Sequence, residues 1–173
     1  MEIFLRLITH SSSFHADDIF SYAMLSYIFP QHELVRTRNN LDLDEHDIVF
    51  DVGMVYNPVE RKFDHHQKNN PKRECGIPYS AFGLLWKHFG LTFLSKFIFQ
   101  KHMMFVWNMI DEEFVKEIDC GDNGYIVEGF ENVTDKNSVG KLIGSFNAFG
   151  NNDDNFKNTA DIALQLLKAR CLQ

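Results

Sequence analysis

The first half of the chain alternates short apolar runs with one amphipathic segment. Residues Ile3 to Thr9 form an apolar, β-rich run that predicts a strand, and a polar loop follows. From Asp17 the apolar residues recur at helical spacing, and Pro30 ends the predicted helix. Two further strands are predicted at Glu33 to Arg38 and at His46 to Gly53. Strands that alternate with a helix are typical of a parallel sheet in an α/β domain.

A small hairpin and a long helical region are predicted for the rest of the chain. Val55-Tyr56 and Lys62-Phe63 flank Asn57-Pro58-Val59-Glu60, whose proline favours a turn. From Ser80 the apolar spacing is helical almost to the end. Glycines predict breaks in this helical region near Gly90, at Gly121 to Gly124 and around Gly150 to Asp154.

Composition indicates one packed globular domain. The chain has 173 residues, of which 45% are hydrophobic and 17 are Phe, so a substantial apolar core can form. We find no internal repeat and no long linker, and we expect residues 1–173 to form a single domain. A formal charge of -7 disfavours a protein that binds duplex nucleic acid mainly by neutralising phosphates. Bound divalent cations would supply positive charge that this count omits.

Cysteines and apolar runs bear on the compartment. Cys75, Cys120 and Cys171 are odd in number and lack the spacing of a thiolate zinc site or a disulfide framework, which favours a reducing compartment. No run reaches the roughly 18 apolar residues of a membrane span, and the N-terminus lacks the features of a signal peptide. We therefore expect a soluble intracellular protein without a membrane partner. The cytoplasm is favoured, and the nucleus and organelles are left open.

Histidines and carboxylates cluster where the predicted strands end. His10 and His15 follow the first strand and precede Asp17, and Asp51 closes the third strand. The tripeptide Asp64-His65-His66 follows the hairpin. Loops at the carboxyl ends of parallel strands converge on one crevice. Because mixed imidazole and carboxylate donors suit Mn²⁺ or Zn²⁺ better than an all-oxygen Mg²⁺ or Ca²⁺ site, the pattern predicts a metal site.

Each of these groups also has a purely structural interpretation. Asp17 or Asp18 can cap the following helix while the histidines face solvent. The later histidine pair can be the polar end of a hairpin. Asp119 and Asp122 lie at a predicted helix C-terminus, where the macrodipole disfavours acids and a compensating partner is needed. A cation is one such partner and a simple turn is the alternative, and the residues alone do not choose between the two aspartates as a ligand.

Basic residues near these motifs have two interpretations as well. They can contact further phosphates of a substrate, or they can be ordinary solvated charges that need no function, and the second interpretation is favoured. The residues concerned are Arg36, Arg38, Lys68, Lys72 and Arg73. Gly140-Lys141 lacks the upstream glycine spacing of a phosphate loop, and we interpret it as structural.

Taken in order, the motifs resemble those of the melanocyte proliferating gene exonuclease family, which looks like a branch of the DHH phosphoesterase superfamily. The matching segments are Thr-His with Phe-His-x-Asp-Asp, Val-Arg-Thr-Arg, Asp-Ile-Val-Phe-Asp-Val-Gly, the Tyr-Asn-Pro turn, Lys-Phe-Asp-His-His-Gln and Glu-Ile-Asp-Cys-Gly-Asp-Asn-Gly. They run from about Ile8 to the C-terminal region. The resemblance implies the family's N-terminal domain, a doubly wound α/β domain with a mainly parallel sheet, flanking helices and a helical C-terminal part.

The resemblance also implies a site with two divalent ions, usually Mn²⁺, with Mg²⁺, Co²⁺ and Zn²⁺ as the alternatives. Carried over to matching positions, the ligands are His10 and His15 for one ion, Asp17 and His65 for the other, Asp51 as the bridge, and Asp119 or Asp122 to complete the second ion. Such a site is expected to hydrolyse a phosphodiester or phosphoanhydride bond with a metal-activated water.

Two further residues have roles by the same resemblance. His66 meets the phosphate or helps to position it, and Asp64 orients a neighbouring histidine. His66 and Asp51 are then the catalytic residues of an exonuclease-like hydrolase. Its expected partner is a phosphodiester substrate, with single-stranded RNA or DNA as the leading choice.

The chain departs from the family pattern without losing a ligand. Asp18 stands where Glu is usual, Ser12 where Gly is usual in the first loop, and Met54 where a second Gly would follow Gly53. We expect the family's second, substrate-binding domain to be absent, which leaves substrate class and turnover open. Two alternatives therefore remain, a non-catalytic metal-binding module and a small-molecule phosphatase or pyrophosphatase. Aromatic residues from Phe89 to Phe99 leave assembly into a homo-oligomer open.

Overall fold

A five-stranded, mostly parallel sheet lies at the centre of the N-terminal half. The structure is a computed structural model that describes residues 5–39, 42–126 and 137–173. In sheet order the strands are β2 (His32–Arg36), β1 (Leu5–Thr9), β3 (Ile48–Phe50), β5 (Lys62–Phe63) and β4 (Tyr56–Asn57). β4 runs antiparallel to β5 across the turn at Pro58–Glu60, and the other pairings are parallel. The predicted hairpin is therefore confirmed.

Helices flank the sheet and form most of the C-terminal part. They are α1 (Ala16–Ile28), α2 (Ala81–Leu94), α3 (Gln100–Ile110), α4 (Lys116–Asp122), α5 (Val139–Ser145) and α6 (Asp153–Cys171). A π-helical turn at Asp111–Val115 joins α3 to α4. The α/β class with a mainly parallel sheet and flanking helices is confirmed. Over residues 5–39, 42–126 and 137–173, every helix is too short or too polar to cross a membrane.

The core lies between one face of the sheet and the helices. Leu7 of β1 and both Ile48 and Phe50 of β3 point into it, because alternate residues of a strand share a face. Phe20 of α1 packs against Phe82 of α2 and Phe114 of the π-helical turn, with ring centroids 5.6 and 5.1 Å apart. This packing fixes α1, whose first turn carries two aspartates, against the edge of the sheet where β1 and β3 end.

The predicted break at Gly90 is wrong, since α2 continues through it. A methyl group at Gly90 would lie 2.7 Å from Nε1 of Trp107 and 2.9 Å from the ring of Trp86. The glycine therefore lets the Trp107 ring of α3 approach α2 closely. The breaks after Asp122 and before Asp153 are confirmed.

Candidate metal centre

The carboxyl ends of the parallel strands place the predicted site residues at one edge of the sheet. His10 follows β1 directly, Asp51 follows β3, and Asp64-His65-His66 follows β5. α1 begins just after His15, so Asp17 reaches the same edge from the first turn of the helix. The arrangement matches the crevice in which open parallel sheets bind ligands.

Asp51 lies at the centre of the group. Its Oδ2 is 3.2 Å from Nε2 of His10, and its Oδ1 is 3.3 Å from Nε2 of His65. Burial alone would raise the pKa of Asp51, but its interactions with the two neighbouring histidines lower it to about 2. The backbone φ of 53° lies in the left-handed region, which Asp tolerates better than most residues. The carboxylate is thus ionised and directs one oxygen to each histidine.

Asp17 and Asp122 lie on the His65 side of Asp51. Nε2 of His65 is 3.1 Å from Oδ2 of Asp122 and 3.7 Å from Oδ2 of Asp17. Burial, together with the charges of Asp122 and Asp51, raises the pKa of Asp17 well above its ordinary value. Ligand atoms of Asp17 and Asp122 lie within 4.8 Å of each other. Buried carboxylates so close together repel one another, and a cation between them would remove that cost.

His15 and Asp18 lie on the His10 side. The ring of His15 is exposed, and its centroid is 5.8 Å from that of His10. Oδ2 of Asp18 is 3.2 Å from Nε2 of His10, and its Oδ1 accepts a hydrogen bond of 2.8 Å from the His15 backbone N–H. Asp18 therefore caps α1 and at the same time approaches the site.

His66 and Asp64 form a pair at the side of the group. Nδ1 of His66 is 2.7 Å from Oδ1 of the buried Asp64, whose Oδ2 accepts a hydrogen bond of 2.5 Å from the Met54 backbone N–H. Burial alone would raise the pKa of Asp64, but the hydrogen bonds with His66 and Met54 lower it. The His66 side chain is 52% exposed and lines a cavity, and its Nε2 is available to a ligand there.

Several buried polar atoms of this group have no hydrogen-bond partner within the described part of the chain. They are both carboxylate oxygens of Asp17, Oδ2 of Asp18, Oδ1 of Asp51 and Nε2 of His65. Leaving a buried polar atom unsatisfied costs roughly 1–3 kcal/mol.

The same side chains form four sets whose potential ligand atoms lie within 4.8 Å of one another. The sets are His10, His15 and Asp51; Asp17, His65 and Asp122; Asp17, Asp18 and Asp51; and Asp51, Asp64, His65 and His66. Donors of this type, buried and unpartnered, fit a divalent cation such as Mn²⁺ or Zn²⁺.

Asp119 lies elsewhere, in a buried ion pair. Nε of Arg73 is 2.7 Å from its Oδ2, and the backbone N–H and hydroxyl of Ser80 donate to its Oδ1 at 2.9 and 2.6 Å. Among the described residues, Asp119 belongs to none of the sets of potential metal ligands. Sequence reasoning missed this pair because Arg73 and Asp119 are 46 positions apart and no motif links them.

A cavity of about 470 Å³ opens onto the group. Its lining brings together the strand-end residues, the end of α4 and the start of α5. Among the lining residues are His10, His15, Asp51, His65, His66, Asp122, Arg38 and Lys141. The site is therefore open to a ligand rather than sealed in the core.

Comparison with known proteins supports the family resemblance that the motifs indicate. The family model MYG1_exonuc, described as "Uncharacterised protein family (UPF0160)", matches residues 6–171. A MYG1 protein of Caenorhabditis elegans is 29% identical over 163 residues, which cover 85% of this chain and 47% of the relative. A MYG1 protein of Saccharomyces cerevisiae is 35% identical over 130 residues, covering 69% of this chain and 38% of the relative.

A relative in Homo sapiens, named MYG1 exonuclease, is 34% identical over 134 residues, covering 69% of this chain and 35% of the relative. The chain thus spans less than half the length of these curated relatives. No solved structure gives a significant match. Because the family model covers almost the whole chain, the protein belongs to the MYG1 exonuclease family.

Proposed function

We propose that the protein is a metal-dependent phosphoesterase that hydrolyses phosphodiester bonds in single-stranded RNA or DNA. One observation carries the proposal: imidazole and carboxylate groups from distant segments meet in one cavity with buried ligand atoms unpartnered. Two relatives, from Mus musculus and Homo sapiens, are named exonucleases, which supports a nuclease among the phosphoesterases.

The ligands we assign fall into two groups that share Asp51: His10 and His15 on one side, and Asp17, His65 and Asp122 on the other. Asp122 is preferred to Asp119 because its carboxylate lies beside His65, whereas Arg73 and Ser80 occupy the carboxylate of Asp119. Two divalent ions, which we propose to be Mn²⁺, would lower the pKa of a bound water and neutralise phosphate charge.

The side chains of the protein orient the ligands and the substrate. Nδ1 of His10 is 3.0 Å from the carbonyl oxygen of Ser11, so a proton on Nδ1 leaves Nε2 as the donor atom for a cation. Asp64 holds Nδ1 of His66 in the same way. We assign Nε2 of His66 a hydrogen bond to an unesterified oxygen of the phosphate that is attacked.

The Asp51→Asn variant tests the proposal. It removes the charge and one of the two oxygens that approach His10 and His65. Loss of a residue that merely orients a metal ligand costs about 10–100-fold in activity, so loss of the shared ligand should cost at least about 100-fold. The assay is hydrolysis of bis-p-nitrophenyl phosphate and of labelled single-stranded oligonucleotides with Mn²⁺, with and without a chelator.

Asp161→Asn is the matched control, because it makes the same change of charge on the exposed surface of α6. It should keep wild-type activity. Full activity in Asp51→Asn, or activity that survives the chelator, would contradict the proposal. Bound Mn²⁺ without turnover would instead identify a non-catalytic metal-binding module, and turnover of pyrophosphate alone would identify a small-molecule phosphatase.

A further inference from the structure

Two basic side chains in the cavity wall have no acidic partner among the residues that the structure describes. Arg38 lies two residues beyond β2, and Lys141 lies in α5. Neither forms an ion pair with a carboxylate of the residues that the structure describes, although Glu117 and Asp122 line the same cavity. Within the described part of the chain, the cavity therefore combines an acidic candidate metal site with two basic side chains that no carboxylate pairs with.

The other arginines near the motifs differ from Arg38. Arg36 donates to the carbonyl oxygen of Asn151 at 2.8 Å, and its side chain is 2% exposed. Arg73 forms ion pairs with Asp111 and Asp119, and its side chain is 5% exposed. The prediction that these two are ordinary solvated charges is wrong, because both are buried and have a structural role. Of these three arginines, Arg38 is the one that lines the cavity.

The contact between Arg38 and His10 depends on the position of the imidazole proton. Nη2 of Arg38 is 3.2 Å from Nδ1 of His10, and the same Nδ1 is 3.0 Å from the carbonyl oxygen of Ser11. A guanidinium only donates, so Nδ1 can accept from Arg38 or donate to Ser11, but not both. If Nε2 held a cation, Nδ1 would carry the proton and would donate to Ser11. Arg38 would then lose this acceptor, and its N–H groups would be available to a ligand in the cavity.

We propose that Arg38 and Lys141 bind a second phosphate of the substrate, next to the phosphate whose bond is hydrolysed. The inference rests on the proposed function and names its substrate class: a nucleotide or short oligonucleotide with a terminal phosphate beside the scissile bond. A guanidinium matches phosphate with two parallel hydrogen bonds, and an ammonium adds a compact charge. The cavity of about 470 Å³ lies within the range of roughly 300–1,000 Å³ for small-molecule sites.

Dinucleotides that differ by one terminal phosphate test the inference. kcat/KM is measured with Mn²⁺ for an unphosphorylated, a 5′-phosphorylated and a 3′-phosphorylated dinucleotide. The wild type should prefer one phosphorylated form by at least about tenfold. Arg38→Met and Lys141→Met should each remove most of this preference, and Arg38→Lys should restore part of it.

Lys101→Met is the matched control, because Lys101 is an exposed residue of α3 outside the cavity lining. It removes one positive charge and should leave the preference unchanged. Equal kcat/KM for the three dinucleotides in the wild type, or a preference that survives in both cavity variants, would overturn the inference.

A binding measurement separates this inference from the proposed function. Dinucleotides in which a methylene group replaces the scissile bridging oxygen cannot be hydrolysed at that bond and keep the negative charge of the linkage. Their affinity with Mn²⁺ is measured by calorimetry with and without the terminal phosphate. If the wild type hydrolyses nothing, yet the terminal phosphate tightens binding and Arg38→Met abolishes the gain, the phosphate subsite stands and the hydrolase fails. If hydrolysis occurs but the terminal phosphate changes neither rate nor affinity, the hydrolase stands and the subsite fails.

Discussion

Two exposed residues near the metal site hold the backbone conformation that glycine adopts most easily. Ser12 and Met54 have φ angles of 77° and 61°. The family pattern that the sequence resembles implies glycine at both positions. An L side chain in the left-handed region costs roughly 1–2 kcal/mol relative to the right-handed one. Little burial compensates for this, since Ser12 is exposed and the Met54 side chain is 60% exposed.

Ser12→Gly and Met54→Gly should each raise the free energy of unfolding by about 0.5–1 kcal/mol, because relief of strain exceeds the entropy that glycine adds to the unfolded chain. Urea unfolding followed by circular dichroism measures the change. Ser13→Gly is the control at an exposed neighbour without positive φ, and it should be neutral or destabilising. Equal effects at positions 12 and 13 would show that strain is not the cause.

Individual site residues differ in how far the sequence predicts them. His10, Asp51 and His65 come together as expected, because each follows a parallel strand and such strands end at a common edge. The different surroundings of Asp119 and Asp122 could not be predicted, because the partner of Asp119 is an arginine in a distant loop. Ionic partners that are remote in sequence leave no local pattern.

At the scale of the secondary-structure elements, helices α2 and α4 meet where a glycine of α2 faces a buried carboxylate of α4. A methyl group at Gly83 would lie 2.7 Å from Oδ2 of Asp119 and closer still to Oδ1. The same carboxylate binds Arg73 and Ser80. The contact joins α2, the loop before it and α4, and α4 places Asp122 beside His65 in the candidate metal site.

Gly83→Ala should lower the free energy of unfolding by about 2 kcal/mol or more, because the added methyl must displace the buried ion pair. Gly144→Ala is the control in α5, where the added methyl would have no described atom within 4 Å apart from the adjacent residues and the backbone of its own helix. It should be neutral or stabilise by up to about 1 kcal/mol through helix propensity. Thermal or urea unfolding compares the two, and equal effects would contradict the role of Gly83.

The elements themselves are largely predictable. Alternation and helical spacing reflect burial on one face, so β1, α1 and the hairpin lie close to their expected positions. The break expected at Gly90 failed because glycine marks close packing of helices as well as their ends. The third strand is shorter than expected, with only Ile48–Phe50 paired as a strand. Such ends depend on tertiary pairing, which local patterns do not encode.

Across the whole molecule, three of the buried acidic residues lie together where a cation would bind. Asp17, Asp18 and Asp51 are all buried at the site, and the chain has a formal charge of -7. Their mutual repulsion should weaken the folded state when no cation is bound. Metal binding and folding stability should therefore be coupled.

Addition of Mn²⁺ should raise the melting temperature. At one hundred times the Kd, binding to one site adds about 2.7 kcal/mol, and each kcal/mol corresponds to about 2–4 °C for a chain of this size. We therefore expect a rise of roughly 5–10 °C, measured by differential scanning fluorimetry and reversed by chelator. Asp51→Asn should lose most of the rise and Asp161→Asn should keep it; an equal rise in both would place the bound metal elsewhere.

The assembly of the proposed metal site from β1, α1, β3, β5 and α4 would also determine when a cation can bind during synthesis of the protein. A nascent chain that has emerged only through the hairpin holds the early histidines without the aspartate at the end of α4, so it offers an incomplete set of donors. Full coordination has to await the emergence and docking of α4. Tight retention of the ion would thus distinguish finished molecules from partly folded ones.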